Sequence, residues 1–236
     1  MSELGVDLFK VNAVTAPSIV NVSTLCFLFA PAFHHGMGVV APLRKQLGVP
    51  TIFNILGPLL NPMPITARIL GVYTAKLGKV YCEAAVKLDQ IFVNDPKSGS
   101  DSVADTMVVC GEVGLDEISP IGKTKVWRYN KKTNKIDEFE IQPSDFGLAE
   151  HGLDLVRSGT AKENAVVLKK ILNGDVDLDS GDALVDYILI NTSALAVIAG
   201  VAKDWKHGVE LAKESIKSGA AWNALQKFIT AINENT

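Results

Sequence analysis

The chain has 236 residues, 47% of them hydrophobic, and its 23 basic and 26 acidic side chains give a formal net charge of −3. This length is enough for one substantial core and does not require a second, so we expect a single domain over residues 1–236. The charge balance provides no basic stripe for nucleic acid or for an anionic membrane surface. An anionic small molecule would have to be held by local groups.

The three cysteines, Cys26, Cys82 and Cys110, are widely spaced and form no CxxC pair. No histidine lies near them at a spacing typical of metal ligands, which favours a reducing compartment. The N-terminal residues have no basic region ahead of an apolar run, so a secretory signal is not predicted. We therefore expect a cytoplasmic protein.

Apolar residues at helical spacing predict a first helix over residues 37–47, ended by Gly48 and Pro50. The apolar run Ala67–Thr74 predicts a buried strand, residues 76–88 return to helical periodicity, and Asp105–Glu112 predict the next strand. Strand, helix and strand in this order predict a βαβ unit and a parallel sheet. Ligands of such sheets bind beyond the carboxyl ends of the strands.

The polar segment 94–102 is predicted to be an exposed loop. TKVWRYN and KIDEFEI flank the polar turn Asn130–Asn134, which predicts a β-hairpin. From Thr160 onward the pattern is helical, and the apolar segment Ala183–Ala202 is almost long enough to span a bilayer. Asp186 lies inside this segment and would cost about 2.5 to 3.5 kcal/mol in a membrane, so we expect a buried helix instead.

His34 and Arg44 lie ten residues apart at the predicted first helix, which would bring them toward one cleft. Arginine offers a rigid fork of donors to a carboxylate, and neutral histidine offers a donor or an acceptor. The alternative is that Arg44 and Lys45 only solvate a helix face, because basic residues are common toward helix C-termini.

In ILGPLLNP, residues 55–62, Gly57 and Pro58 predict a sharp turn, and Asn61 with Pro62 predict another. Such a turn can press its backbone against a flat ligand. A purely structural loop between helix and strand explains these residues as well.

GEVGLDEISP, residues 111–120, follows a predicted strand directly and so falls at the end of the sheet where ligands gather. The neighbouring carboxylates of Asp116 and Glu117 suit Mg²⁺, which takes a few protein oxygens together with waters and substrate phosphates. Surface loops are also rich in acidic residues, so the pair alone is weak support. The chain contains neither GxGxxG nor GxxxxGK[ST].

Four segments, in order along the chain, resemble the anthranilate phosphoribosyltransferase family: FLFAPAFHHGMGVVAPLRKQLGVPTIFNILGPLLNP, GLDEISP, KENAVVLKKILNG and LINTSALAV. The resemblance implies an α/β fold whose mostly parallel sheet is flanked by helices, the large domain of this fold, with part of a small helical domain missing. It also implies transfer of the 5-phosphoribosyl group from phosphoribosyl pyrophosphate to the amino group of anthranilate, with release of pyrophosphate, in tryptophan biosynthesis. Members of the family are usually homodimers.

By motif match, the resemblance implies that His34 and Arg44 contact anthranilate, Arg44 through the carboxylate, and that Gly57 and Pro58 line its aromatic ring. Asp116 and Glu117 would hold the Mg²⁺ that carries the pyrophosphate. No catalytic residue is assigned, because aniline nitrogen is a neutral nucleophile for which positioning matters more than a strong base.

The chain departs from the family pattern in two ways. It has FHHG at residues 33–36 where the family commonly has FHPA, and it lacks the GTGGD and KHGN segments that contact phosphoribosyl pyrophosphate. Its NVST, residues 21–24, lies downstream of where the NxST turn of the family belongs, so that role is not carried over. We therefore expect a form truncated at its N-terminus, with impaired activity by itself. Two alternatives stay open: an inactive fragment or binding module that keeps the anthranilate half-site, and an enzyme similar to pyrimidine nucleoside phosphorylases.

Overall fold

The computed structural model describes residues 1–33, 46, 48, 52–95 and 102–234. The predicted helix over residues 37–47, except residue 46, and most of the predicted loop 94–102 lie outside these residues. The chain divides into two compact units. We call them the helical unit (Met1–Pro62, Ser158–Val176 and Ser215–Thr236) and the sheet unit (Met63–Arg157 and Asp177–Glu214). The single domain predicted from the sequence stays a prediction.

The helices described are α1 (Ala16–Ser23), α2 (Ala30–Phe33), α3 (Phe53–Leu56), α4 (Ala75–Val93), α5 (Ala161–Leu172), α6 (Ala183–Ile198), α7 (Trp205–Lys217) and α8 (Ala220–Glu234). The strands are β1 (Ala67–Gly71), β2 (Asp105–Gly111), β3 (Thr124–Asn130) and β4 (Lys135–Ile141). Short 3₁₀ helices cover Ser2–Leu4, Leu8–Lys10, Gly57–Leu60 and Pro143–Phe146.

The sheet has the order β1-β2-β3-β4, with β1 and β2 parallel and the two later pairs antiparallel. The α/β class is confirmed, and so are the predicted βαβ unit, formed by β1, α4 and β2, and the predicted hairpin of β3 and β4. The sheet is thus mixed, because a short turn can join only antiparallel neighbours. Met107, Val108 and Val109 of β2 are almost fully buried, as expected for a strand covered on both faces.

A buried ion pair joins the three parts of the βαβ unit. Arg68 of β1 donates to Asp89 of α4 over 2.7 Å, and to Thr106 Oγ1 of β2 over 3.0 Å. The same Asp89 oxygen accepts a 3.0 Å hydrogen bond from the amide of Ala104, just before β2. Each charge therefore has more than one hydrogen-bond partner, which a buried ion pair needs to offset its desolvation.

The helical unit has its own core around α1 and α8. Val11, Ile19 and Phe228 are fully buried there, and Leu168 and Leu172 of α5 pack against the same cluster. α5 begins with a capping box, in which Thr160 and Glu163 satisfy each other's backbone amides. The helical pattern predicted from Thr160 onward is confirmed by α5, α6, α7 and α8.

The segment predicted to be a buried helix forms α6, with Val185, Leu189 and Ile190 buried. Within the residues that the structure describes, no helix combines the length and the apolar character needed to cross a bilayer.

α4 lies directly on the indole ring of Trp127 in β3, and Gly78 makes this approach possible. A Cβ at residue 78 would lie 2.2 Å from two atoms of the ring. In a helix interior, alanine normally stabilises by about 0.8 to 1.0 kcal/mol relative to glycine. Here the steric overlap must exceed that gain.

We expect Gly78→Ala to lower the free energy of unfolding by about 1 to 3 kcal/mol, because the methyl group overpacks the helix against the sheet. Urea denaturation measures the change. In a Trp127→Leu background the added methyl group should cost much less. The same loss in both backgrounds would show that Trp127 is not the obstacle.

Candidate functional site

The loop after β2, residues 111–120, carries the two carboxylates predicted to bind a metal, and we call it the carboxylate loop. Because β1 and β2 are parallel, their carboxyl ends meet at one edge of the sheet, and the loop begins there. The side chains of Asp116 and Glu117 are exposed, whereas Ile118, just after them, is fully buried.

The carboxylate loop is held in shape by its own backbone. The amide of Gly114 donates to Gly111 O over 2.9 Å, and the amide of Gly111 donates to Leu115 O over 2.8 Å. Gly114 has φ +80°, which glycine adopts without strain. At the other end, the Ser119 amide donates to the buried hydroxyl of Thr124, at the start of β3, over 2.9 Å.

The carboxylate loop packs directly on Gly71, the last residue of β1. A Cβ at Gly71 would lie 1.7 Å from the carbonyl oxygen of Asp116 and 2.5 Å from its carbonyl carbon. The backbone of the loop can therefore cross the end of β1 only because residue 71 has no side chain.

Two side chains of α6 hold the carboxylate loop from the side. The phenol of Tyr187 donates a hydrogen bond to Glu117 Oε2. The side-chain amide of Asn191 accepts from the Ile118 amide over 3.1 Å and donates to Ile118 O over 3.2 Å. Burial, followed by the hydrogen bond and charge of Glu117 and the charge of Asp116, raises the pKa of Tyr187. Tyr187 therefore stays protonated near neutral pH and remains a donor.

The donor set of the carboxylate loop suits a hard divalent cation. Among the residues described, none donates a hydrogen bond to the Asp116 carboxylate, and only Oε2 of Glu117 is engaged. No cluster of three or more His, Cys, Asp or Glu side chains at metal-binding distance occurs in the described part of the chain. Two neighbouring exposed carboxylates match Mg²⁺, which keeps waters and takes phosphate oxygens.

Gly57 and Pro58 lie in the helical unit, where they line an apolar cavity of about 190 Å³. Its other lining residues include Leu28, Phe33 and Pro62. The sharp turn predicted at Gly57 and Pro58 is wrong in its geometry: one turn of 3₁₀ helix, Gly57–Leu60, continues α3. Proline is tolerated in the first turn of a helix, where its missing amide has no partner to lose.

His34 and Arg44 lie outside the described residues, so their predicted roles stay predictions. The structure brings together Gly57 with Pro58, and Asp116 with Glu117, each pair within one unit. Two larger cavities of the sheet unit, of about 660 and 440 Å³, have no residue of the carboxylate loop in their lining.

The roles of Gly71, Tyr187 and Asn191 were not predicted from the sequence. Tyr187 and Asn191 are four residues apart in an otherwise apolar helix, so they lie on one face. Half-buried polar atoms on such a face need partners from another element. That spacing was a usable indication that α6 anchors a loop, although it does not identify the loop.

We expect Gly71→Ala to displace the carboxylate loop and to lower the free energy of unfolding by about 1 to 3 kcal/mol, because backbone atoms cannot move aside as side chains do. Thermal denaturation measures the loss. The matched control is Gly111→Ala, whose Cβ would meet side-chain atoms at 3.0 and 3.1 Å and should cost less. An equal or larger loss in the control would contradict the contact at residue 71.

Comparisons with known proteins agree with this geometry. The sequence profile of the glycosyl transferase family, a/b domain, matches residues 1–222. Anthranilate phosphoribosyltransferase of Saccharomyces cerevisiae is 44% identical over 234 residues, which cover 98% of this chain and 58% of that protein. The protein of the same name from Schizosaccharomyces pombe is 41% identical over 230 residues, with 98% and 60% covered. This chain thus spans about three fifths of the length of these curated relatives.

Solved structures of the S. cerevisiae enzyme superpose on the chain. Its complex with 4-fluoroanthranilate gives a TM-score of 0.89 at 43% identity, covering 99% of this chain and 62% of the other. Its complex with PRPP and Mg gives a TM-score of 0.87 at 43% identity, with 99% and 61% covered. The resemblance noted from the four sequence segments is confirmed, and the chain belongs to the glycosyl transferase family, a/b domain.

Proposed function

We propose that this chain takes part in the transfer of the 5-phosphoribosyl group from phosphoribosyl pyrophosphate to the amino group of anthranilate, in tryptophan biosynthesis. The observation that carries the proposal is the exposed carboxylate pair, Asp116 and Glu117, at the carboxyl edge of the sheet. The relatives that share this fold at 41 to 44% identity bear the name of that activity.

In the proposed reaction, the bond between C1 of the ribose and the pyrophosphate oxygen breaks, and its electron pair leaves with pyrophosphate. The lone pair of the aniline nitrogen forms the new bond to C1, and the nitrogen then loses one proton to solvent. Mg²⁺ bound to the pyrophosphate supplies positive charge against the negative charge that develops on the leaving group.

The contribution of this chain at the donor end is to hold that cation. Asp116 and Glu117 both present oxygen atoms to solvent, and the backbone of their loop is fixed by hydrogen bonds and by the contact with Gly71. A cation held in a fixed place would position the leaving group, which reduces the entropic part of the barrier.

The contribution at the acceptor end is an apolar cavity for the aromatic ring. The cavity next to Gly57 and Pro58 has apolar neighbours suited to an aromatic ring. We propose that His34 and Arg44 complete it, with the guanidinium of Arg44 on the carboxylate of anthranilate. We also propose a cytoplasmic homodimer, since the family resemblance implies the assembly and three unpaired cysteines fit a reducing compartment.

The proposal is tested with a chimera in which this chain replaces the region it matches in the S. cerevisiae relative. We expect anthranilate fluorescence to fall only when phosphoribosyl pyrophosphate and Mg²⁺ are both present. Glu117→Gln and Asp116→Asn should each lower kcat/KM by about 100- to 1,000-fold, as removal of a transition-state charge partner does. The control is Glu138→Gln, an exposed carboxylate on β4.

Two results would overturn the proposal. One is full turnover by the Glu117→Gln chimera. The other is protection of the chain from heat by uracil or thymine but not by anthranilate, which would favour a pyrimidine nucleoside phosphorylase. The 236-residue chain alone is expected to show little turnover.

Arg44→Ala should weaken anthranilate binding to the chimera by about 10- to 100-fold, because a hydrogen bond to a charged group is worth about 1.5 to 3 kcal/mol. Calorimetric titration with anthranilate measures it. Lys45→Ala, the adjacent cation, is the matched control and should leave the affinity unchanged. If the two variants lose affinity equally, Arg44 acts only through the general charge of the segment.

A further inference from the structure

One face of α6 contacts the carboxylate loop at two successive residues. Tyr187 and Asn191 are one helical turn apart, and they bind Glu117 and Ile118, which are neighbours in the loop. The partners are separated by 70 and 73 residues along the chain, so the contacts are tertiary. Asn191 Nδ2 also donates to the backbone oxygen of Tyr187 over 3.1 Å, so the Asn191 side chain is bound both to its own helix and to the loop.

The far end of the carboxylate loop is anchored to the same helix through an intermediate residue. The side chain of Asp186, next to Tyr187, contacts His151 with 2.8 Å between Oδ2 and Nε2. The amide of His151 donates to Pro120 O, the last residue of the loop, over 2.8 Å. Residues 117, 118 and 120 are thus all tied to α6.

The Tyr187 contact differs in kind from the others. Asn191 and His151 satisfy backbone groups of the loop, as the packing of any buried loop requires. Glu117 is exposed, and its carboxylate has water available without a protein partner. The hydrogen bond of Tyr187 therefore selects one orientation of the Glu117 side chain, with Oε2 toward α6 and Oε1 left for another ligand.

We propose that Tyr187 is a positioning residue that holds the Glu117 carboxylate ready for a divalent cation bound to pyrophosphate, while Asn191 holds the backbone beneath it. The inference rests on the proposed function, in which Asp116 and Glu117 are the cation ligands. Substitution of a residue that orients a metal ligand typically lowers the affinity for the metal by about 10- to 100-fold. Tyr187 itself does not contact the cation.

The test is calorimetric titration of the 236-residue chain with Mn²⁺, alone and with inorganic pyrophosphate present. Tyr187→Phe should weaken Mn²⁺ binding about 10-fold and leave the melting temperature nearly unchanged, because only one partly exposed hydrogen bond is lost. Asn191→Ala should weaken binding and also lower the melting temperature. The matched control is Tyr129→Phe, which removes a 2.8 Å phenol contact to Asn134 in the β-hairpin and should leave binding unchanged.

A double-mutant cycle separates positioning from a general structural role. In a Glu117→Gln background, Tyr187→Phe should change the residual Mn²⁺ affinity by less than about twofold, since coupled residues are not additive. An equal effect of Tyr187→Phe with and without Glu117→Gln would overturn the inference, as would unaltered affinity in Tyr187→Phe.

The same titration distinguishes failure of the inference from failure of the proposed function. If Glu117→Gln leaves Mn²⁺ binding intact, the cation is not held by this loop, and both the proposed metal site and the inference fail. If Glu117→Gln weakens binding and Tyr187→Phe does not, the metal site stands and only the positioning role is lost. If Mn²⁺ binding depends on both residues but the chimera does not consume anthranilate, the inference stands and the proposed reaction is wrong.

Discussion

The contact between Gly71 and the Asp116 carbonyl fixes where the chain goes after β2. In a parallel βαβ unit the loop leaving the second strand has a wide choice of directions over the carboxyl edge. Here the backbone crosses the end of β1 at a distance that excludes any side chain at residue 71. The crossing sets the path of the loop at Asp116, next to which Glu117 is exposed and Ile118 is buried.

α6 is a mostly apolar helix that nevertheless helps to determine the conformation of the polar carboxylate loop. Its buried residues, such as Leu189 and Ile190, stabilise the packing of the helix. They do not fix the orientation of a neighbouring segment, since one aliphatic contact differs little from another. Three of its polar side chains, Asp186, Tyr187 and Asn191, have strict geometric needs and find partners in or next to the carboxylate loop. The helix thus stabilises the sheet unit through its apolar residues and orients the loop through its polar ones.

The βαβ unit, the hairpin and the helices after Thr160 were predictable because each has a strong periodic pattern, and the strands began at residues 67 and 105 as predicted. The short helices α1, α2 and α3 were not predicted. The carboxylate pair was predictable because it directly follows a strand. The rest depended on contacts between distant residues. Nothing local indicates that Gly71 faces a carbonyl group, or that Tyr187 and Asn191 meet a loop more than 60 residues earlier in the chain. Turn chemistry at Gly57 and Pro58 was misjudged, because these residues also fit a 3₁₀ helix.

The Arg68–Asp89 ion pair couples β1, α4 and β2, so we expect these three elements to unfold locally together. Neither β1 nor α4 can separate from β2 without leaving one of two buried charges without its partner. Partial unfolding at this corner of the sheet is therefore costly, and the backbone amides of β1 and β2 would exchange with solvent hydrogen together as one cooperative unit. The carboxylate loop begins at the last residue of β2, at the opposite end of this strand from the ion pair.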